Sequence, residues 1–305
     1  MEEKLFDSEF FSRLNRMKMM TKMRLNVGMG GQRKSTAKGS SVEFSDFREY
    51  IPGDDIRRID WNVYGRMDKL FVKQFMEEKE GLFHVMVDCS KSMDFGEKNK
   101  SIFARQIAGM ISYMVLSNLD RVYLTALHDK KANTTKGMTG RQAFSKILNQ
   151  LEAMEFYGET NLYEALRTMS FKHRGVVVLI SDFLRIENSK NEVEELEKGE
   201  YIEQILRYLC FHKQEVILVQ VLSKEEESPL SEGTLELIDS ETEEKMKVTI
   251  TSKLLKQYET SLKQLQNNIN RFSKKYQVNY ISVTTEENIE SVIYKGIHCG
   301  QWGNK

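Results

Sequence analysis

Two prolines in 305 residues are too few for a Pro-rich linker or a low-complexity tail. Three cysteines, Cys89, Cys210 and Cys299, cannot build a disulfide framework, and no CxxC pair offers zinc or redox chemistry. That usage fits a reducing compartment, so a cytoplasmic protein is expected. No sign of charge predominates: 45 Lys and Arg balance 45 Asp and Glu, which excludes a generic polybasic nucleic-acid binder. Long apolar runs are missing too. The longest relevant uncharged stretch, Gln106 to Leu119, has 14 residues, whereas a membrane span needs roughly twenty apolar ones. The opening MEEKLFDSEFF is acidic and too polar for a secretory signal. What is present, 40% hydrophobic and 30% charged residues, is a globular mix able to bury a sizeable core.

Neutrality hides an asymmetry. Ser12 to Ser40 holds eight Lys or Arg and no acid, while Glu192 to Met246 holds sixteen acids and five bases. The basic head carries Phe10, Leu14, Met17 and Met20 at helical spacing. Two readings follow: a helix whose apolar residues pack on their own domain, or a basic N-terminal helix that docks on an acidic partner or makes peripheral membrane contact.

Further along, short apolar, β-branched runs alternate with longer helical stretches. Leu82–Asp88, Arg121–Leu127, Gly175–Ser181, Glu215–Leu222 and Val278–Val283 have the composition of buried parallel strands. Ser101–Leu119, Gly140–Met154, Leu162–His173, Val193–Phe211 and Ser252–Tyr276 lie between or beside them as helices. This order predicts right-handed βαβ units and an α/β fold: a doubly wound, mostly parallel sheet flanked by helices, of Rossmann type. Lys131–Thr135 is expected as a short antiparallel edge strand, and Leu235–Ile238 with Lys245–Ile250 as an inserted hairpin around residues 230–250.

Gly31 to Glu80 has a different character, poor in apolar residues and crowded with polar groups. Pro52-Gly53-Asp54-Asp55 is a turn sequence, Lys69–Glu77 alternates as a strand does, Arg57 and Asp60 are candidates to pair, and Trp61 is expected as a buried anchor. The segment is expected to be a collar rich in turns and short strands, packed on the domain that follows. Arg48, Asp54, Asp55, Arg57, Asp60 and Trp61 form either its structural frame or a recognition surface. The organisation predicted is therefore a basic helix in residues 1–30, a collar in 31–80 and the α/β domain in 81–300.

In an open parallel sheet, ligands bind beyond the carboxyl ends of the strands. The first such end carries Asp88-Cys89-Ser90-Lys91-Ser92, a D-x-S-x-S. The strand ending at Ser181 is followed by Asp182, and Thr160 stands between them before a helix. Asp88, Ser90 and Ser92 at spacing two would aim the same way from an extended chain. One carboxylate and two hydroxyls are hard oxygen ligands, suited to Mg2+ or Mn2+; Thr160 adds a hydroxyl and Asp182 a second carboxylate. Two carboxylates are few for a divalent ion, and a coordination position left to water would favour a carboxylate from outside.

The order D-x-S-x-S, then Thr before a helix, then Asp after a strand resembles the metal-ion-dependent adhesion site of von Willebrand factor A domains. The collar resembles the signature of the bacterial "domain of unknown function fifty-eight" family through Glu43-Phe44, Arg48-Glu49-Tyr50, Pro52-Gly53-Asp54-Asp55, Arg57, Ile59-Asp60-Trp61 and Arg66, and later through the D-x-E-T of Asp239 to Thr242. That resemblance spans about Gly30 to Val283. It implies an A-type domain with an N-terminal collar, a MoxR-type AAA+ ATPase as the protein partner, and no established enzymatic activity. Lys91 inside the loop and Asn161 after Thr160 depart from the usual pattern; Lys91 is expected to face solvent.

Enzyme signatures fail one by one. A cysteine phosphatase loop needs Arg six residues after Cys89, and Phe95 stands there. A D-x-D phosphatase has Ser90 at its second position, and the run Gly28 to Ser35 has Arg33 where a phosphate loop needs Gly. No G-x-S-x-G elbow is present. The expectation is a non-catalytic interaction protein in a chaperone-like or assembly role, without specific nucleic-acid binding. A metal-dependent hydrolase or phosphatase using the same site is the alternative.

Overall fold

The computed structural model describes residues 5–14, 16, 42–77, 80–184, 200–228, 233–238 and 245–292. In chain order the elements are α1 (residues 8–14), β1 (Val42–Glu49), α2 (Trp61–Met67), β2 (Phe71–Glu77), β3 (Leu82–Asp88), α3 (Lys100–Ser117), β4 (Arg121–His128) and β5 (Lys131–Thr134). Then follow α4 (Phe144–Glu152), α5 (Leu162–Arg167), β6 (Val176–Ser181), α6 (Glu200–Phe211), β7 (Glu215–Leu222), α7 (Lys224–Glu227), β8 (Gly233–Ile238), β9 (Lys245–Ile250), α8 (Ser252–Tyr276) and β10 (Asn279–Thr284). They fall into two compact units: the collar up to Glu80, and a unit that joins α1 to everything from Gly81 onward.

The larger unit is built on a six-stranded sheet of order β10-β7-β6-β3-β4-β5. All neighbours are parallel except the edge strand β5, which runs antiparallel to β4 as expected. All six residues of β6 are buried, as a strand covered on both faces requires. The two faces separate by strand alternation. Val85, Val87, Val178 and Ile180 pack with Ile107, Met110 and Leu151 of α3 and α4. Met86, Val177 and Leu179 pack with Leu166, Leu206 and Phe272 of α5, α6 and α8. The fold is thus the doubly wound α/β sheet predicted from the strand runs. The hairpin β8–β9 forms a separate antiparallel pair from Gly233↔Ile250 to Ile238↔Lys245. Asp239 to Thr242, between its strands, lie outside the described residues.

The described part of the basic head follows the first of its two readings, a helix packed on its own domain. Phe10 and Leu14 are only 2% and 3% exposed and belong to the core, so neither faces a membrane or a partner. Asp7 caps α1 by accepting a hydrogen bond from the Phe10 N–H at 2.7 Å. The Gln106 side chain donates to the Leu5 carbonyl at 2.9 Å. A Cβ at Gly109 of α3 would lie 3.2 Å from Phe6 and 3.3 Å from Phe10, so the missing side chain is what lets the two aromatic rings settle on α3. Met17 and Met20 lie outside the described residues. Among the described residues no helix is long and apolar enough to cross a membrane.

The collar is an antiparallel pair, β1 and β2, with a bulge between Phe44 and Asp46, followed by a 3-10 turn at Ile56–Arg58 and α2. Its acids hold this frame together. Asp54 accepts from Arg48 at 2.7 Å and from the Ile51 N–H at 2.9 Å. Asp55 caps the 3-10 turn through the Arg57 N–H at 3.0 Å. Asp60 caps α2 through Asn62 and Val63 and pairs with Lys73 at 2.9 Å, so the expected partner Arg57 is not the one it takes. Trp61, expected to be buried, is 62% exposed and meets the Tyr64 ring edge-on at 6.2 Å.

Candidate metal centre

The order of the sheet reverses between β3 and β6, the two strands that leave this chain's first and second halves in opposite directions. A crevice opens at such a switch point, beyond the carboxyl ends. Asp88 ends β3 and Asp182 directly follows β6, so these two predicted residues stand where the topology puts a ligand.

Asp88 is 4% exposed. One of its oxygens accepts from the Ser181 hydroxyl at 2.7 Å and the other from the Ser90 N–H at 3.1 Å. The chain then enters a 3-10 turn over Lys91–Met93 instead of continuing extended. That turn still brings the Ser90 and Ser92 hydroxyl oxygens to 3.0 Å from one another. Lys91 turns away to pair with Asp94 at 2.8 Å, as expected of a solvent-facing residue.

The neighbouring loop is tied to this one by backbone. The Lys91 N–H donates to the Gly158 carbonyl at 2.8 Å, and the Tyr157 N–H to the Cys89 carbonyl at 3.1 Å. Gly158 takes φ +64°, a left-handed turn that lets the loop come back towards β4. Thr160 follows, its hydroxyl 3.4 Å from the Leu127 carbonyl that also accepts the Cys89 N–H at 2.9 Å. Thr160 therefore stands at the same sheet edge as the D-x-S-x-S loop. Asn161, the departure from the family pattern, caps α5 through the Glu164 N–H at 3.2 Å.

Asp182 is 2% exposed. One of its carboxylate oxygens accepts from the Leu184 N–H at 3.0 Å, and its carbonyl accepts from the Gln220 side chain at 2.9 Å. Its other carboxylate oxygen lies 2.8 Å from the ammonium of Lys100, which is fully buried and also touches Glu226 at 2.5 Å. Phe183 adopts φ +56°, a left-handed conformation that costs about 1–2 kcal/mol in a non-glycine residue. This sharp exit from β6 lets two consecutive side chains serve one site, the Ser181 hydroxyl reaching Asp88 while also accepting the Phe183 N–H at 3.0 Å.

Lys100, Ser181, Gln220 and Glu226 are not singled out by the sequence, because each reaches the site from a different part of the chain. One trace exists for Lys100. A cation at the first position of a helix opposes the helix dipole and needs a reason to be there.

The electrostatics fit a divalent cation. Burial, and after it the charge of Asp182, push the Asp88 carboxyl up to about 6. Burial likewise raises Glu226, with Lys100 working against it. Asp182 and Glu226 share the single ammonium of Lys100, while Asp88, close enough to feel the charge of Asp182, pairs with no cation among the described residues. Charge in a dry site is offset either by taking up a proton, the direction in which Asp88 and Glu226 are pushed, or by a counter-ion. The hard oxygen donors of Asp88, Ser90 and Ser92, with Thr160 and Asp182 at the same edge, are those Mg2+ or Mn2+ takes. Among the described residues no three His, Cys, Asp or Glu side chains group as metal ligands, so any ion here depends on hydroxyls.

The chain is thus an α/β protein, a doubly wound, mostly parallel sheet with a D-x-S-x-S loop at its switch point. A family model described as "Protein of unknown function DUF58" matches residues 46–268, and the chain belongs to that family. Uncharacterized protein Mb1516 of Mycobacterium bovis and Uncharacterized protein Rv1480 of Mycobacterium tuberculosis are each 28% identical over 186 residues. The chain spans 58% of the length of these relatives, and the match covers 58% of the chain itself. Among solved structures, BatB from Bacteroides thetaiotaomicron aligns with TM-score 0.41 and 12% identity, over 72% of this chain and 99% of that one. The SpRpn10 VWA domain aligns with TM-score 0.42 and 9% identity, over 70% and 94%.

Proposed function

We propose that this protein is a non-catalytic interaction module that holds Mg2+ or Mn2+ and uses it to engage an acidic residue of a partner protein. The observation that carries the reading is the buried carboxylate of Asp88, without a cationic partner among the described residues, at the switch point of the sheet beside the converging hydroxyls of Ser90 and Ser92. Asp88 contributes direct charge, Ser90 and Ser92 neutral oxygens, Thr160 a third hydroxyl, and Asp182 a second carboxylate. When bound, the metal supplies an electrophilic position that a carboxylate from outside can fill. Family resemblance supports a MoxR-type AAA+ ATPase as the partner, in a chaperone-like or assembly role in the cytoplasm. The free thiols of Cys89 and Cys210 are compatible with that compartment.

The test has two stages. Calorimetric titration of Mn2+ should show binding to the wild type and none to a folded Asp88→Ala variant; equal affinities would remove the site. Complex formation with a co-encoded AAA+ ATPase is then measured in magnesium and in excess chelator. A complex that forms only with the metal, and weakens most on charge reversal of one partner Asp or Glu, is the expected result, since a central desolvated contact outweighs rim contacts. Turnover of a small substrate that is lost in Asp88→Ala, with no partner required, would overturn the reading in favour of an enzyme.

A further inference from the structure

Lys100 is the first residue of α3, and its side chain is fully buried. Its position at the amino end of a helix and its burial both disfavour the charge. What holds it there are two carboxylates, Asp182 at 2.8 Å and Glu226 at 2.5 Å. Glu226 is itself fixed. Its second carboxylate oxygen accepts from the Ser223 N–H at 2.8 Å, the Ser223 hydroxyl accepts the Glu226 N–H at 3.2 Å, and the Tyr258 hydroxyl donates to the Glu226 carbonyl at 2.8 Å. Asp182 is anchored by Leu184 at one carboxylate oxygen and by Gln220 at its carbonyl. The one carboxylate oxygen of Asp182 not spent on a backbone N–H is thus the oxygen that faces Lys100.

We propose that Lys100 is a positioning residue that sets the charge of the metal site: its ammonium keeps the free oxygen of Asp182 engaged and brings the occupied site, with Asp88 and Glu226, to neutral rather than negative, so that an outside carboxylate is not repelled from the ion. The inference rests on the reading of this centre as a divalent-cation site. It differs from a structural role in sign. A lysine that only braces the fold would, when removed, leave metal affinity unchanged or lower it as the site loosens. A lysine that competes with the ion for Asp182 raises metal affinity when removed, because a nearby positive charge is lost and an acceptor is released.

The test is Mn2+ titration by calorimetry on the full chain, comparing wild type, Lys100→Met, and the double variant Lys100→Met with Glu226→Gln. The single variant strands two buried carboxylates and is at risk of unfolding in the absence of metal. The double variant removes one charge of each sign and keeps the buried balance, and circular dichroism checks its fold. Expected is Mn2+ binding about tenfold tighter in Lys100→Met and several-fold tighter in the double variant. Addition of a glutamate-bearing peptide to the Mn2+-loaded protein should show weaker peptide binding in Lys100→Met than in wild type, and binding near that of wild type in the double variant, whose net charge is unchanged. Equal or weaker Mn2+ binding in the folded variants assigns Lys100 to the fold alone and overturns the inference while leaving the metal site standing. Absence of Mn2+ binding to the wild type overturns both.

Discussion

His84 shows how far a single side chain can depend on its burial. It lies in the middle of β3, stacked on Tyr123 at 4.8 Å and edge-on to Phe171 at 5.2 Å, and its Nδ1 has no hydrogen-bond partner. Burial lowers its pKa from 6.5 to about 4. Between those values the unfolded chain takes up a proton that the folded one refuses, so this residue subtracts stability as pH falls from 6.5 towards 4. The loss amounts to roughly 3 kcal/mol when complete. Wild type and His84→Phe should therefore differ increasingly in urea midpoint over that range, measured in chelator, with the variant the less pH-sensitive; parallel curves would show that His84 is protonated without penalty. At the same scale, the sequence reveals the site only in part. Asp88, Ser90 and Ser92 are legible because one short loop carries them, and Asp182 because it follows a strand end. Ser181, Lys100 and Glu226 become partners only once β6, α3 and α7 are folded together, and no local spacing records that.

Elements whose burial is expressed in composition are the ones the sequence discloses. β3 and β7 have the bounds their apolar runs predict, since strands covered on both faces leave little room for polar residues. Helix ends are set by other interactions. The stretch expected to run from Leu162 to His173 stops at Arg167, where the Thr168 hydroxyl donates to the Ala165 carbonyl at 2.7 Å and accepts the Ala132 N–H at 3.3 Å. In the collar, β1 escapes notice because its bulge and its acids break the alternation of a strand, and α2 because it is only seven residues long, with a glycine inside it. At the other extreme, α1 is a short helix whose stability comes from docking. Phe10→Ala removes an aromatic that is 2% exposed against α3 and should cost about 3–5 kcal/mol, read as a lowered urea midpoint. Mn2+ affinity of the variant under native conditions should stay as in wild type, because α1 packs on the side of the sheet core and supplies no donor to the site. A midpoint within about 0.5 kcal/mol of wild type would mean that α1 is not held in the core as described.

Across the molecule, the sheet-bearing unit concentrates its conflict at one edge. The reversal between β3 and β6 gathers Asp88 and Asp182, the turn after β6 forces Phe183 into a left-handed conformation, and burial holds the carboxylates away from water. Each of these costs stability, which is the pattern of a site organised for a ligand at the expense of the fold. The consequence is a linkage that can be measured without any partner. An ion that binds only the folded state at a hundred times its dissociation constant adds about 2.7 kcal/mol. For a unit of this size that corresponds to a rise in Tm of roughly 5–10 °C. Wild type should show that rise with Mg2+ or Mn2+ and lose it on addition of chelator, whereas Asp88→Ala should melt at one temperature in both buffers. Calorimetry that finds the two proteins equally responsive would place the cation elsewhere, because Asp88 is the carboxylate that ends β3 at the switch point and no other residue of the D-x-S-x-S loop can supply its charge.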